Sequence, residues 1–163
     1  MAQLSKIAPC LLFKGEAEAA AAFYVSVFPD SAITAMSRYG EGAPLPAGTA
    51  LMVEFTLAGQ RFQALNGGPP AAFNEAISFS IACKDAAEVD HYWDGLTAMG
   101  GRPIQCGWLE DRFGVRWQVV PDGLLDLIRD PDPVRAGRAM QAMIRQTKLD
   151  LAAIRAAADG NPA

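Results

Sequence analysis

One order of elements occurs twice in this 163-residue chain, and that repetition limits its fold more than any single motif. Ile7 to Phe13 is a short apolar run that reads as a strand. Glu16 to Phe28 places Ala20, Phe23, Tyr24, Val27 and Phe28 at helical spacing, and Pro29, which cannot continue a helix, stops it. Ile33 to Tyr39 reads as a second strand, and Gly40 to Gly48, with three glycines and two prolines, as a loop. Thr49 to Leu57 alternates, with Leu51, Val53, Phe55 and Leu57 on one face and Ala50, Met52, Glu54 and Thr56 on the other. Ala58-Gly59 is a tight turn that returns Gln60 to Asn66 as the hairpin partner, after which Gly67-Gly68-Pro69-Pro70 breaks the chain.

The same order then returns. Ala76 to Ala82 reads as a strand with Ile77, Phe79 and Ile81 on one face and Ser78 and Ser80 on the other. Asp85 to Met99 is a helix opened by Asp85 and Glu88, which have capping-box spacing, and ended by Gly100-Gly101. Arg102 to Cys106, Gly107 to Glu110 and Val115 to Val120 are short strands, with a hairpin turn at Asp111 to Gly114. Glu16, Ala20, Phe23, Tyr24 and Val27 correspond to Asp85, Val89, Tyr92, Trp93 and Leu96 at a constant offset of 69 residues. Any two amphipathic helices share some of that pattern, so the order of elements carries more weight than the identities.

The tail differs from both halves. Asp132-Pro133 starts a helix that runs from Val134 to Thr147 with Met140, Met143 and Ile144 on one stripe. A last helix, Asp150 to Asp159, is stopped by Gly160 and Pro162. From Arg129 onward there are six basic and four acidic residues, against eight and fourteen before it. The tail is thus a partner surface or a solvated helix face.

Composition removes several classes of function. Hydrophobic residues make up 51% and charged residues 20% of the chain, enough apolar matter for a packed core. The net charge of −4 and the pI of about 4.9 argue against a generic nucleic-acid binder. Met1 to Lys6 has no apolar signal core, and no run approaches the roughly 18 apolar residues of a membrane helix. The expectation is a cytoplasmic protein with no membrane and no nucleic-acid partner. Cys10, Cys83 and Cys106 are too few and too scattered for a disulfide framework. No phosphate-cradling glycine loop opens a helix, and no cofactor is expected.

Several segments together resemble the PhnB-like family. They are Ala8 to Phe13, Phe23 to Pro29, Ala64 to Pro69, Phe73 to Phe79, Cys106 to Leu109 and Asp111 to Pro121. This family is often labelled 3-demethylubiquinone 3-methyltransferase and sits in the vicinal-oxygen-chelate superfamily, with glyoxalases and bleomycin-resistance proteins. The resemblance implies an α+β fold of two βαβββ modules forming a curled mixed-sheet cup, plus C-terminal helices. In residues, it implies a paired domain over 1–128 (modules about 5–66 and 74–121) and a helical extension over 129–163.

In metal-dependent relatives the cup holds a divalent ion on histidines and glutamates. Here the pattern D-x-x-G-x-x-x-E is met by Asp111, Gly114 and then Gln118, so an amide replaces the carboxylate. The other ligand positions fall near Ala8, near Ala76 and on the Phe62, Ala64 or Asn66 side. The only histidine, His91, lies mid-helix beside Asp90 and Asp94. A divalent site needs three or four converging donors, so no metal is expected. The methyltransferase label is not carried over, because S-adenosylmethionine sites normally need a parallel sheet with a glycine-rich first turn.

Strand alternation nominates a cup lining of Cys10, Met52, Glu54, Phe62, Asn66, Ser78, Ser80, Arg116 and Gln118, with Trp108 at the rim. That mixed surface suits an uncharged or zwitterionic small molecule; the alternative is a sheet face that is half solvated or packed on the tail helices. Cys10 and Cys106 lack a neighbouring base and read as quiet, buried thiols. Trp108 suits ligand stacking or a dimer contact. Glu54 and Arg116 are an acid–base pair or a structural salt bridge. Three functions follow: a metal-free homodimeric small-molecule binder or enzyme of unnamed reaction, a divalent-metal lyase, dioxygenase or isomerase using ligands such as Glu54 and Gln118, or an interaction module acting through the tail.

Overall fold

The structure is a computed structural model that describes residues 6–69 and 71–161, so the expected stop at Pro162 and the breaker at Pro70 lie outside the described residues. The chain divides into two compact units, Met1–Ala72 and Phe73–Ala163. Each contains a βαβββ module, in the α+β arrangement expected from the sequence.

The first unit runs β1 (Cys10–Phe13), α1 (Ala17–Val27), β2 (Ala32–Arg38), β3 (Ala50–Leu57) and β4 (Gln60–Asn66). Its sheet has the order β1-β4-β3-β2; β1 is parallel to β4 and the other pairs are antiparallel. α1 turns Ala17, Ala20, Ala21, Phe23, Tyr24 and Val27 inward; the small alanines let the helix lie close on the sheet. Tyr24 stacks on Phe55 at 6.1 Å, and Phe55 on Phe62 at 5.5 Å. The Ala58-Gly59 turn has φ of 46° and 83°, the two positive values of a type I′ hairpin, and glycine serves the second without strain.

That turn sets the register: Leu57 pairs with Gln60, and Phe55 with Phe62. Phe62, Ala64 and Asn66 therefore face α1, which corrects the expected lining at Phe62 and Asn66. Asn66 is 1% exposed and joins three elements. Its Oδ1 accepts the Ala17 N–H at 3.0 Å, and its Nδ2 donates to the Ala50 carbonyl at 2.9 Å. Glu16 provides no side-chain cap for α1, so Asn66 serves one orphan N–H of the first turn from 49 residues away.

The second unit runs β5 (Phe79–Cys83), α2 (Ala86–Thr97), a 3-10 turn at Ala98–Gly100, β6 (Arg102–Pro103), β7 (Trp108–Glu110), β8 (Arg116–Pro121), α3 (Leu124–Ile128), α4 (Pro133–Arg145) and α5 (Leu151–Ala158). Its sheet order, β5-β8-β7-β6 with β5 parallel to β8, repeats that of the first. Asp85 caps α2 as expected, accepting the Glu88 N–H at 2.8 Å, and the Glu88 carboxylate accepts the Lys84 N–H at 2.7 Å. The strand expected from Ala76 begins later, at Phe79. Asn74 accepts the Ala76 N–H and holds a turn there, so Ile77 is 74% exposed instead of core.

A buried carboxylate organises the β7–β8 hairpin. Asp111 accepts the backbone N–H groups of Phe113 (2.8 Å) and Val115 (3.1 Å) and the indole N–H of Trp117 (2.9 Å). The tail packs on the same unit through Leu124, Leu127, Ala139, Leu149, Ile154 and Ala158, with Val120 of β8 against them. α3 is absent from the sequence reading, and of the expected stripe Met143 packs inward while Met140 and Ile144 are exposed. Two bonds stitch the tail to the entry of β7: Cys106 and Gly107 donate to the Gln146 and Thr147 carbonyls at 2.9 and 2.8 Å. Gly107 has φ 80°, and a Cβ there would meet Leu149 at 2.7 Å, so only glycine fits this crossing.

Candidate functional site

The sheet face of the second unit that points away from α2 gathers most of the polar side chains named from the sequence. Ser80 stands opposite Gln118, and Gln118 opposite Trp108, in one row across β5, β8 and β7. The Gln118 amide nitrogen donates to the Ser78 hydroxyl at 2.8 Å. The next row holds Arg116, Glu110 and Arg102 across β8, β7 and β6. Val120, on the same side of β8, is covered by the tail core, so the face grades from apolar near the tail to charged at its far end.

Arg116 dominates the charged end. It is 6% exposed, yet its Nη1 donates to the Gly114 carbonyl at 2.7 Å and pairs with Glu110, and its Nη2 reaches the Glu75 carboxylate at 3.3 Å. Glu110 also takes Arg102 at 2.8 Å. Glu75 is held below the usual carboxylate range by its own backbone N–H and then by Arg116, while Glu110 pushes Arg102 up. Among the described residues, the buried Nε of Arg116 has no hydrogen-bond partner. A buried donor without an acceptor costs on the order of 1–3 kcal/mol. Such a group in a native face calls for a reason.

The first unit has its own open face, where Cys10 lies opposite Gln63, Glu54 opposite Gln63, and Met52 opposite Leu65. Glu54 finds its partners within its own unit. Glu54 pairs with Arg61 and accepts from Gln63 at 3.2 Å, and the Arg61 bond, then Gln63, lowers its carboxyl below the ordinary value. Cys10 is exposed rather than buried, though nearby atoms raise its thiol by desolvation. Cys83 is the buried cysteine, its thiol pushed up to about 12 by the same cause. Cys106 is half-buried with its sulfur toward the Ile144 carbonyl at 3.7 Å.

The sequence reading missed Glu75, Glu110 and Arg102. Glu110 was accessible to it: the Asp111 to Gly114 turn forces Glu110 opposite Arg116, and parity puts it beside Trp108. Glu75 carries no such signal, because it lies in the turn before β5, outside any strand period. Among the described residues, concavities also lie elsewhere in the unit. One of about 320 Å³ separates Lys84 to Asp90 from Lys148 to Ala152, and one of about 460 Å³ lies between α4 and the end of α5.

The residues do not fit a divalent cation. Gln118 is neutral and its amide is engaged by Ser78. Among the described residues no three His, Cys, Asp or Glu side chains converge as a metal site would need. His91 lies exposed on α2, edge-on to Tyr92 at 5.0 Å.

Comparison with known proteins agrees with this architecture. A family model described as 3-demethylubiquinone-9 3-methyltransferase matches residues 5–120. A PhnB protein from Bacillus cereus is 33% identical, covers 72% of this chain and 99% of its own, and superposes with a TM-score of 0.67. PA1353 from Pseudomonas aeruginosa is 23% identical over 72% of this chain and 97% of its own, with a TM-score of 0.60. The fosfomycin resistance protein FosX from Mesorhizobium loti shares the fold at 13% identity, covering 79% and 98%, with a TM-score of 0.56. No curated protein matches the chain.

Proposed function

The chain belongs to the family described as 3-demethylubiquinone-9 3-methyltransferase, the PhnB-like branch of the glyoxalase and bleomycin-resistance superfamily, and from that premise we propose that it binds a small organic molecule without a resident divalent metal. The observation that carries this reading is the Gln118 amide bonded to Ser78 on an open sheet face, at the position where metal-dependent relatives are expected to carry a carboxylate. An amide both donates and accepts, so it recognises polar organic groups where a carboxylate would recognise a cation. Ser80 and Trp108 flank it and supply a hydroxyl and a stacking surface. On the first unit, Cys10, Met52 and Glu54 offer a second such surface. Phe62 and Asn66 are left out, being committed to the packing of α1.

Methyl transfer is not part of the proposal. Both sheets are mostly antiparallel, and the turns from β1 to α1 and from β5 to α2 hold no glycine-rich cradle. In this reading the protein is a cytoplasmic homodimer, with residues 129–163 as an accessory extension beyond the family model. Among the described residues Cys10, Cys83 and Cys106 are free thiols, and no helix is long and apolar enough to cross a membrane. Light scattering at micromolar concentration tests the dimer; a monomer mass sinks it.

Thermal-shift screening against polar metabolites and antibiotics tests the binding claim, since a ligand of the folded state alone raises apparent stability. A hit whose shift is lost in Gln118→Ala supports the site. Metal analysis is the counter-test: a stoichiometric divalent ion that disappears in Glu54→Ala would favour a metal enzyme instead.

A further inference from the structure

The guanidinium of arginine can grip an anion bidentately end-on through its two Nη atoms or side-on through Nε and the Nη2 on the same side. In Arg116 the side-on edge is half used. Nη2 reaches one oxygen of Glu75 at a long 3.3 Å, and Nε, buried, meets no acceptor among the described residues. The opposite side of the group is fully committed, with Nη1 on the Gly114 carbonyl and on Glu110. Arg116 is therefore fixed in place with the Nε half of that edge buried and unpaired, and with only the exposed Glu75 beside it.

Glu75 is a poor permanent partner. Its side chain is 69% exposed against 7% for Arg116, and it stands in the turn held by Asn74, where no strand ladder restrains it. It can leave without breaking a sheet hydrogen bond. Gln118, Ser78 and Trp108 lie one row away on the same face, so a molecule gripping Arg116 would reach the amide and the indole with its neutral part.

We infer that the Nε–Nη2 edge of Arg116 anchors an oxyanion of the ligand, a carboxylate or a phosphoryl group, and that Glu75 is an exposed stand-in which the ligand displaces. This rests on the small-molecule reading above and narrows it to anionic or zwitterionic compounds bearing such a group. Planar carboxylate and tetrahedral phosphoryl oxygens both span the fork, so the two sources share one recognition chemistry.

The test follows the Nε–H resonance of Arg116, assigned by through-bond correlation, in the full chain and in Glu75→Gln. Each is titrated with sodium acetate and, separately, inorganic phosphate at constant ionic strength. The expected result is movement of that resonance in both proteins, with the midpoint about tenfold lower in Glu75→Gln, because a competing carboxylate has been removed. The arm with the lower midpoint tells carboxylate from phosphoryl. A resonance that stays still in Glu75→Gln with both anions, or equal midpoints in the two proteins, overturns the inference. A library ligand whose affinity ignores Glu75→Gln would also overturn it while leaving the small-molecule reading intact. Anion titration here with no organic ligand found would do the reverse.

Discussion

The two units build the same sheet from the same order of strands, yet they close their polar faces differently. On the first, Glu54 finds Arg61 and Gln63 on the adjacent strand, and the charges cancel within one hairpin. On the second, Arg116 is buried, takes Glu110 from β7, and then depends on an exposed carboxylate from outside the sheet. The first face is a self-contained cross-strand pair, open enough to water that solvent screens it. The second keeps an unmet hydrogen-bonding demand. Similar scaffolds thus separate into a quiet face and a poised one through one buried guanidinium and a turn that delivers Glu75.

The buried polar anchors test that contrast most strongly. Asp111→Ala removes three acceptor contacts and strands the Trp117 indole N–H, so it should destabilise the second unit by about 3–5 kcal/mol. Asn66→Ala, the counterpart in the first unit, should cost about 2–3 kcal/mol, since it frees one buried N–H and one carbonyl. Urea unfolding separates the two, because Trp93, Trp108 and Trp117 all lie in the second unit. Tryptophan fluorescence should shift for Asp111→Ala, and far-UV dichroism alone for Asn66→Ala. Equal responses from both probes would show that the units unfold together and that the contrast has no energetic meaning.

Gly107→Ala should cost about 2 kcal/mol or more, through its positive φ and the contact with Leu149. Faster proteolysis after Arg129 with little change in far-UV helix signal from the first unit is the expected readout; unchanged tail protection would show that the stitch is dispensable.

The smallest effect is on pH dependence. Glu54 and Glu75 both have folded-state values below the ordinary 4.5, so each contributes stability above that value and loses it as pH falls through the folded one. Glu54→Gln should flatten the acid limb of the dichroism midpoint and Glu75→Gln that of the fluorescence midpoint, each slightly because Glu75 is exposed and Glu54 only partly buried. A steep acid limb surviving both changes would assign it to other carboxylates.

Particular residues show where sequence reading succeeds and where it stops. The Asp85 cap, the Asp132-Pro133 start and the Asp111 to Gly114 turn were all legible, because each depends on neighbours within a few positions. The face of Phe62 and Asn66 was legible too, through the two-residue Ala58-Gly59 turn, but a position borrowed from relatives pointed the other way. Ile77 failed because a side-chain bond from Asn74 interrupts a period that alternation alone would continue.

The sequence by itself determined the repeated βαβββ order and the caps and turns that bound its elements, since neighbours within a few positions decide them. Only the tertiary structure decided that Asn66 serves α1 across 49 residues, that the tail closes on Cys106 and Gly107, and that Glu75 meets Arg116 across 41 residues. Those contacts arise from packing elements remote along the chain. Burial then gives an unpaired donor its cost, and no periodicity in the sequence encodes that burial.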